Sequence, residues 1–461
     1  MKSRMMVFAL AVTPLMAQLK LPQYTRETLP NGVILDLMPR KGVPLVHFRV
    51  ILRGGAESEP AQLAGLAGVT AQLVREGTAK RTADQFSDEL DFLGGVFGGQ
   101  AGGGISSGIA FSAEFLAKDF DRGLDLVSDA LLHPTFPEDR VRKEVARRVD
   151  AAHAAKDNPG GAIRSYFQAS FFGKEHPYGN PPDEVTLARI QRGDIVAYHQ
   201  KIFCGRNMIV VATGDFDPAA AKPKLAQAFG AAPAGTAFEW RQAAAPLRRG
   251  RMLLIDKPDA TQTYFIIAQP GIDRKNPDRV TLDLVNTIFG GRFTSLINQA
   301  LRANSGLTYG ASSQVEQTRL PGAILISTYT KTDTTTEAID MALDVLKNFH
   351  DNGISADQLA SAKAYEKGLF PTRRLETIDQ LANALGDIEL YGESRDEIDG
   401  YFARIDAVTL DQANAAVRKY FRADDLTLVL LGAADKIRDR VKKYDAHPTE
   451  LAAKDAGWGT N

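Results

Sequence analysis

An α+β fold in two homologous halves is what this sequence predicts, and three observations carry it. Short apolar runs of strand length open each half, at 33–38 and 45–52 and again at 252–255 and 262–268. Long helical patterns follow them, without the regular strand–helix repetition of a parallel doubly wound sheet. The close of the first half is also written again at the close of the second. At 461 residues the chain exceeds the size at which one core keeps growing, so more than one domain is expected.

The elements follow in order. The runs 33–38 and 45–52 read as strands, each bounded by turn residues. Helical periodicity is strongest over 116–132, 140–155 and 335–350. The repeated pattern begins at Asp194-Ile195-Val196-Ala197-Tyr198, passes through Lys201-Ile202-Phe203, and ends in the apolar run Met208-Ile209-Val210-Val211-Ala212 before Gly214. In the second half, Ala413-Asn414-Ala415-Ala416-Val417 leads through Lys419-Tyr420-Phe421 to Leu428-Val429-Leu430-Leu431-Gly432. Upstream, Tyr178-Gly179 with Arg189-Ile190 is echoed by Tyr391-Gly392 with Arg404-Ile405. Each half is expected to be a mixed sheet with helices on one face. The expected organisation is a signal peptide at 1–17, an N-terminal domain at 22–232, a linker rich in Ala, Pro and Arg at 233–250, a C-terminal domain at 251–445 and a tail at 446–461.

Composition narrows the function classes. The apolar fraction of 44% and charged fraction of 24% are those of an ordinary globular protein. A net charge of −1, with Lys and Arg scattered, gives no basis for nucleic-acid binding. Lys2 and Arg4 precede an apolar run and then Thr13-Pro14-Leu15-Met16-Ala17, the pattern of a secretory signal, too short to span a bilayer. Export is therefore expected. The one cysteine, Cys204, forms no intrachain disulfide and reads as a small core residue.

No local chemistry is visible. Of the seven histidines no two stand four apart, and no H-x-x-E-H occurs anywhere. The glycine-rich stretch 94–108 lacks the Lys-Ser/Thr of a P-loop and does not form G-x-G-x-x-G after a strand. It reads either as a strand that another backbone approaches closely or as a bulged edge strand. No G-x-S-x-G elbow is present.

The helix Gly65-Leu66-Ala67-Gly68-Val69-Thr70-Ala71-Gln72-Leu73-Val74-Arg75-Glu76-Gly77-Thr78 resembles the zinc helix of the pitrilysin/insulinase-type (M16) metallopeptidases. Other motifs extend the resemblance over nearly the whole chain. They are Leu29-Pro30-Asn31-Gly32-Val33, Arg53-Gly54-Gly55-Ala56-Glu57, Leu131-Leu132-His133-Pro134-Thr135-Phe136 and Asp157-Asn158-Pro159. In the second half, Gly290-Gly291-Arg292-Phe293-Thr294-Ser295-Leu296 runs into Leu301-Arg302 and Gly306-Leu307-Thr308-Tyr309. The resemblance implies two domains of the processing-peptidase (LuxS/MPP-like) type, arranged as a half-clamshell.

In that family two histidines at i and i+4 and a neighbouring glutamate carry the zinc chemistry. Here their positions fall on Gly68, Gln72 and Ala71, so the frame is kept and the ligands are gone. Gly68 inside a helix is also about 1 kcal/mol less favourable than Ala. The third ligand's register falls near Val149-Asp150, in the 140–155 helix, where Asp150 reads as a remnant or as a solvated carboxylate. The resemblance gives Arg302 and Tyr309 a role in holding substrate and polarising the scissile carbonyl.

Two readings follow. In one the chain is a subunit without autonomous catalytic residues or metal, paired in the bacterial periplasm with a zinc-bearing homologue and binding unfolded peptide. In the other it is a stand-alone peptide-binding or scaffold protein. Neither involves nucleic acid or a membrane span.

Overall fold

The computed structural model of the chain describes residues 20–101, 107–240 and 251–459. The expected signal peptide lies outside them, as do parts of the glycine-rich stretch and of the linker. Two mixed sheets form. The first comprises β1 (Thr25–Thr28), β2 (Ile34–Pro39), β3 (Leu45–Leu52), β4 (Val96–Ala101), β5 (Ile109–Leu116) and β6 (Met208–Gly214), in the order β1-β2-β6-β3-β5-β4. The second comprises β7 (Arg251–Asp256), β8 (Gln262–Pro270), β9 (Ile272–Asp273), β10 (Ala311–Thr318), β11 (Pro321–Lys331), β12 (Thr427–Gly432) and β13 (Thr449–Ala452), in the order β13-β7-β12-β8-β11-β10-β9. The series β2-β6-β3-β5-β4 and β7-β12-β8-β11-β10 are the same topology used twice. In each, the last strand inserts between the first two, parallel to one and antiparallel to the other.

The repeated apolar strands β6 and β12 lie in the middle of their sheets, and every residue in both is buried. Side chains alternate across a strand, so each feeds two cores. Met208, Val210 and Ala212 enter the main N-terminal core, while Ile209 and Val211 enter a second one on the opposite face. Leu428 and Leu430 divide from Val429 and Leu431 in the same way.

The opposite face of each sheet is covered by a helix from the other half, which the expectation of helices on one face did not include. The N-terminal half supplies Pro159–Phe172, which places Ile163, Tyr166, Phe167 and Phe171 against Ile266, Val429 and Leu431 of the C-terminal sheet. The C-terminal half supplies Ile378–Tyr391, which places Leu381, Leu385 and Ile388 against Ile51, Ile209 and Val211 of the N-terminal sheet. The exchange is reciprocal.

Helix boundaries come close to the periodicity. The 116–132 pattern splits into the end of β5 and a helix at Phe120–Leu132, because alternating burial carries the strand through Leu116. The other two long patterns become Glu138–Ala155 and Thr335–Asn352. The expected tail is built into the fold instead: Thr449–Ala452 pairs with β7, and Trp458 is buried against Tyr166. The linker's described part is anchored, with the Phe238 backbone N–H donating to Asn207 Oδ1 at 2.7 Å. Cys204 is a buried free thiol, as a small core residue should be.

Candidate functional site

The degenerate helix forms as expected, over Leu66–Leu73. β3 delivers the chain to its start through two short turns at Ala56–Ser58 and Ala61–Leu63. Gly65 begins the helix with φ of 100°, a backbone region that glycine enters freely. The Glu59 carboxyl accepts from the Gly65 and Ala67 N–H groups, satisfying the open helix end. Burial outweighs those donors and pushes the Glu59 carboxyl up to about 8. Leu66, Val69, Thr70, Ala71 and Leu73 are buried, while Gly68 and Gln72 share the half-buried face where ligands would stand.

The glycine-rich stretch explains the helix's other neighbour. β4 is an edge strand, and a Cβ on Gly99 would stand 3.1 Å from the Ala71 carbonyl oxygen and 2.3 Å from the Phe111 ring. Close backbone approach is therefore real at Gly99, whereas Gly98 faces open space.

The ligand face itself is filled by a guanidinium. From the Glu138–Ala155 helix, Arg148 Nη2 donates to the Gly68 carbonyl oxygen at 2.9 Å. Its Nη1 lies 3.0 Å from where a Cβ on Gly68 would be. Glu144 holds Arg148 Nε at 2.6 Å and also binds Arg147 through two bonds of 2.8 and 2.7 Å. Burial raises the Glu144 carboxyl, but these hydrogen bonds prevail and hold it below its ordinary value. Beside the register expected at Val149-Asp150, it is the preceding residue that meets the helix. Arg148 faces Gly68, and Asp150 is exposed beside a separate surface cleft.

These residues do not fit zinc. Gly68 and Ala71 offer no donor atom, Gln72 offers a neutral amide, and a fixed guanidinium repels a dication. Among the described residues, no group of three or more His, Cys, Asp and Glu side chains is placed to hold a metal.

Arg302 and Tyr309 occupy a different kind of place. Gly290 lets the chain turn tightly against β10, since a Cβ there would lie 2.4 Å from the Ser313 nitrogen. Asn298 then ties the turn to the strand: its Nδ2 donates to the Phe293 carbonyl at 2.6 Å, and its Oδ1 accepts from the Ala311 N–H at 3.1 Å. Thr328 Oγ1 donates to the Gly310 carbonyl at 2.8 Å and meets Thr308 at 3.1 Å, clamping the backbone on both sides of Tyr309.

With the backbone fixed, the Arg302 guanidinium lies 4.4 Å from the Phe293 ring centre and 5.1 Å from that of Tyr309. Those two rings are 72% and 77% exposed, so Tyr309 is not a core residue. Among the described residues, neither the Arg302 nor the Tyr309 side chain has a hydrogen bond or ion pair. Together they line a cleft of about 470 Å³ that also contains Arg292 and Tyr365. From the sequence, Arg292 and Phe293 are part of the family-like motif without a role of their own, and Tyr365 is not singled out. An aromatic directly after Gly290-Gly291-Arg292 was the local signal available.

Residues 40–176 match the family pattern described as insulinase (peptidase family M16), and residues 189–365 match the one described as the peptidase M16 inactive domain. The chain belongs to peptidase family M16. An uncharacterized zinc protease of Mycobacterium leprae is 26% identical to this M16 chain over 401 residues, spanning 85% of the chain and 87% of that protein. One from Bacillus subtilis is 21% identical over 411 residues, spanning 88% and 97%.

The fold of this M16 chain is shared with the crystal structure of a peptidase M16 inactive domain from Pseudomonas fluorescens. The TM-score is 0.82 at 23% identity, covering 89% of this chain and 98% of that one. It is shared also with a protease from Helicobacter pylori, at a TM-score of 0.77 and 18% identity, covering 89% of this chain and 100% of that one. This M16 chain keeps the family's two-domain frame, and the helix Leu66–Leu73, which resembles the family's zinc helix, contains no His, Cys, Asp or Glu.

Proposed function

We propose that this chain is the activity-supporting, non-catalytic subunit of a two-chain M16 peptidase. It binds unfolded peptide and presents Arg302 and Tyr309 to a zinc site carried by a homologous partner. The supporting observation is the contrast between its two sites. Where the family's zinc helix runs, Arg148 fills the ligand face. At the family's Arg/Tyr position, both side chains stand preorganised and uncommitted at the surface. An exposed phenol beside a guanidinium can donate hydrogen bonds to a carbonyl oxygen that gains negative charge. Zinc and its activated water would come from the partner. An extended peptide would add to a free sheet edge by backbone hydrogen bonds, with loose sequence preference. The signal-like segment 1–17 supports a periplasmic location for the pair.

The test is reconstitution with a zinc-bearing M16 homologue and an unfolded peptide substrate. The mixture should hydrolyse peptide, and the isolated chain should not. Arg302→Ala and Tyr309→Phe should each lower kcat/KM by about 10²–10³-fold while the complex persists in size-exclusion chromatography. Unchanged kcat/KM in both variants would remove the assigned roles. A chain that stays apart from the homologue yet binds peptide would instead fit the stand-alone binding reading.

A further inference from the structure

The cleft beside Arg302 and Tyr309 contains a second guanidinium that the function proposed above does not use. Arg292 donates from Nη1 to Ser361 Oγ at 2.9 Å, and its guanidinium lies 5.8 Å from the Tyr365 ring centre. Its Nε is sheltered from solvent and has no acceptor. A sheltered donor without an acceptor is uncommon and carries a desolvation penalty.

No acidic residue lines this cleft. The carboxylates of Asp283 and Glu366 line a neighbouring one and are held there by Gln317 and Thr287, each at 2.6 Å. Two guanidiniums thus share one recess with no carboxylate among the described residues that line it.

The chain itself shows what such an edge binds. Arg26 grips Glu389 through Nε and Nη2 at 2.7 and 3.1 Å. Arg274 grips Glu393 the same way at 2.8 and 3.0 Å, and Arg422 grips Asp424 at 2.9 and 2.7 Å. In each case the Nε–Nη2 side forms the two-bond fork that matches a carboxylate. Arg292 has committed only Nη1, so the equivalent side is unpaired. Its Nε is covered in this conformation and meets a carboxylate only when the side chain turns toward the cleft.

We infer that this cleft binds a carboxylate of the peptide, held by Arg292 on its Nε–Nη2 side. The chain therefore favours peptides with an acidic side chain or a free C-terminus beside the segment presented to Arg302 and Tyr309. The inference rests on the peptide-binding part of the proposed function and needs no partner subunit.

Fluorescence anisotropy on the isolated full chain tests it, with a labelled unstructured peptide carrying one internal Glu and a free C-terminus. Two companion peptides replace the Glu by Gln or amidate the C-terminus, and so separate the two sources of carboxylate. One of the changes should weaken Kd about 10-fold, the scale of one charge-assisted hydrogen-bonded contact. Arg292→Gln should weaken the parent peptide equally and make all three peptides alike. Arg292→Lys, which keeps the charge but not the fork, should recover only part of the loss. Equal Kd for the three peptides on the unaltered chain overturns the inference while leaving peptide binding intact. A carboxylate preference that survives in Arg292→Gln also overturns it. Failure of every peptide to bind removes the peptide-binding reading and this inference together.

Discussion

At position 68 a glycine meets an arginine from the neighbouring helix, on the face where the family resemblance would put a metal ligand. Gly68 frees the space and the carbonyl, and Arg148 takes both while Glu144 balances its charge. A fixed internal cation thus links the two helices. Arg148→Ala should lower stability by about 1–3 kcal/mol, since it leaves the Gly68 carbonyl without that donor. Thermal melting would check this, and excess zinc should leave the melting temperature of the unaltered chain where it was. A metal-dependent rise would contradict the guanidinium's role. His199 gives a second residue-level expectation. Burial pushes its imidazole down to about 4, and Nε2 lies 2.9 Å from the Leu131 carbonyl. Because the folded value lies below the ordinary 6.5, its contribution is complete above that pH and is lost as pH falls from there toward 4. His47 and His176 are pushed down in the same way, while Glu59, Asp36 and Asp283 are pushed up and act in the opposite sense. The expectation therefore concerns the difference between variant and unaltered chain. His199→Phe should remove the His199 component of the pH dependence of the melting temperature over that window, and an unchanged slope would exclude it.

Among the elements, the two exchanged helices do most to join the halves. Phe167, Phe171 and Phe172 of the Pro159–Phe172 helix are essentially fully buried, and Phe167 lies in the core formed with the C-terminal sheet. Phe167→Ala should destabilise by about 3–5 kcal/mol, read from denaturant unfolding. A change below 1 kcal/mol would mean the helix is only loosely docked. Strand β6 was legible before the fold was known because a continuous apolar run predicts burial on both faces. What covers its second face was not legible, because the Ile378–Tyr391 helix arrives from far along the chain. The same limit applied at Leu116, where alternation and helical periodicity overlap for a few residues.

For the whole molecule, reciprocal covering makes the halves interdependent. A fragment of residues 20–240 would expose Ile209, Val211 and Ile51, which the Ile378–Tyr391 helix now buries. It should lack a cooperative thermal transition, whereas the full chain should melt with both halves together. A fragment that melts sharply on its own would show that each half is an independent domain. The joined frame also holds the Arg302 cleft rigidly, through Asn298 and Thr328, at a surface where a second chain can reach it.

By itself the sequence determined the family frame, the duplication, the central strands and a helix with Gly68, Ala71 and Gln72 but no His, Cys, Asp or Glu. All of these depend on residue identity at known spacing along one segment. Only the tertiary structure decided that Arg148 caps the Gly68 carbonyl and that Phe293 and Tyr309 flank Arg302. It also decided that Arg292 is left with an unpaired Nε and that each half roofs the other's sheet. The physical reason is that side chains separated along the chain meet only after packing has set helix register and strand order, and spacing in sequence does not encode those meetings.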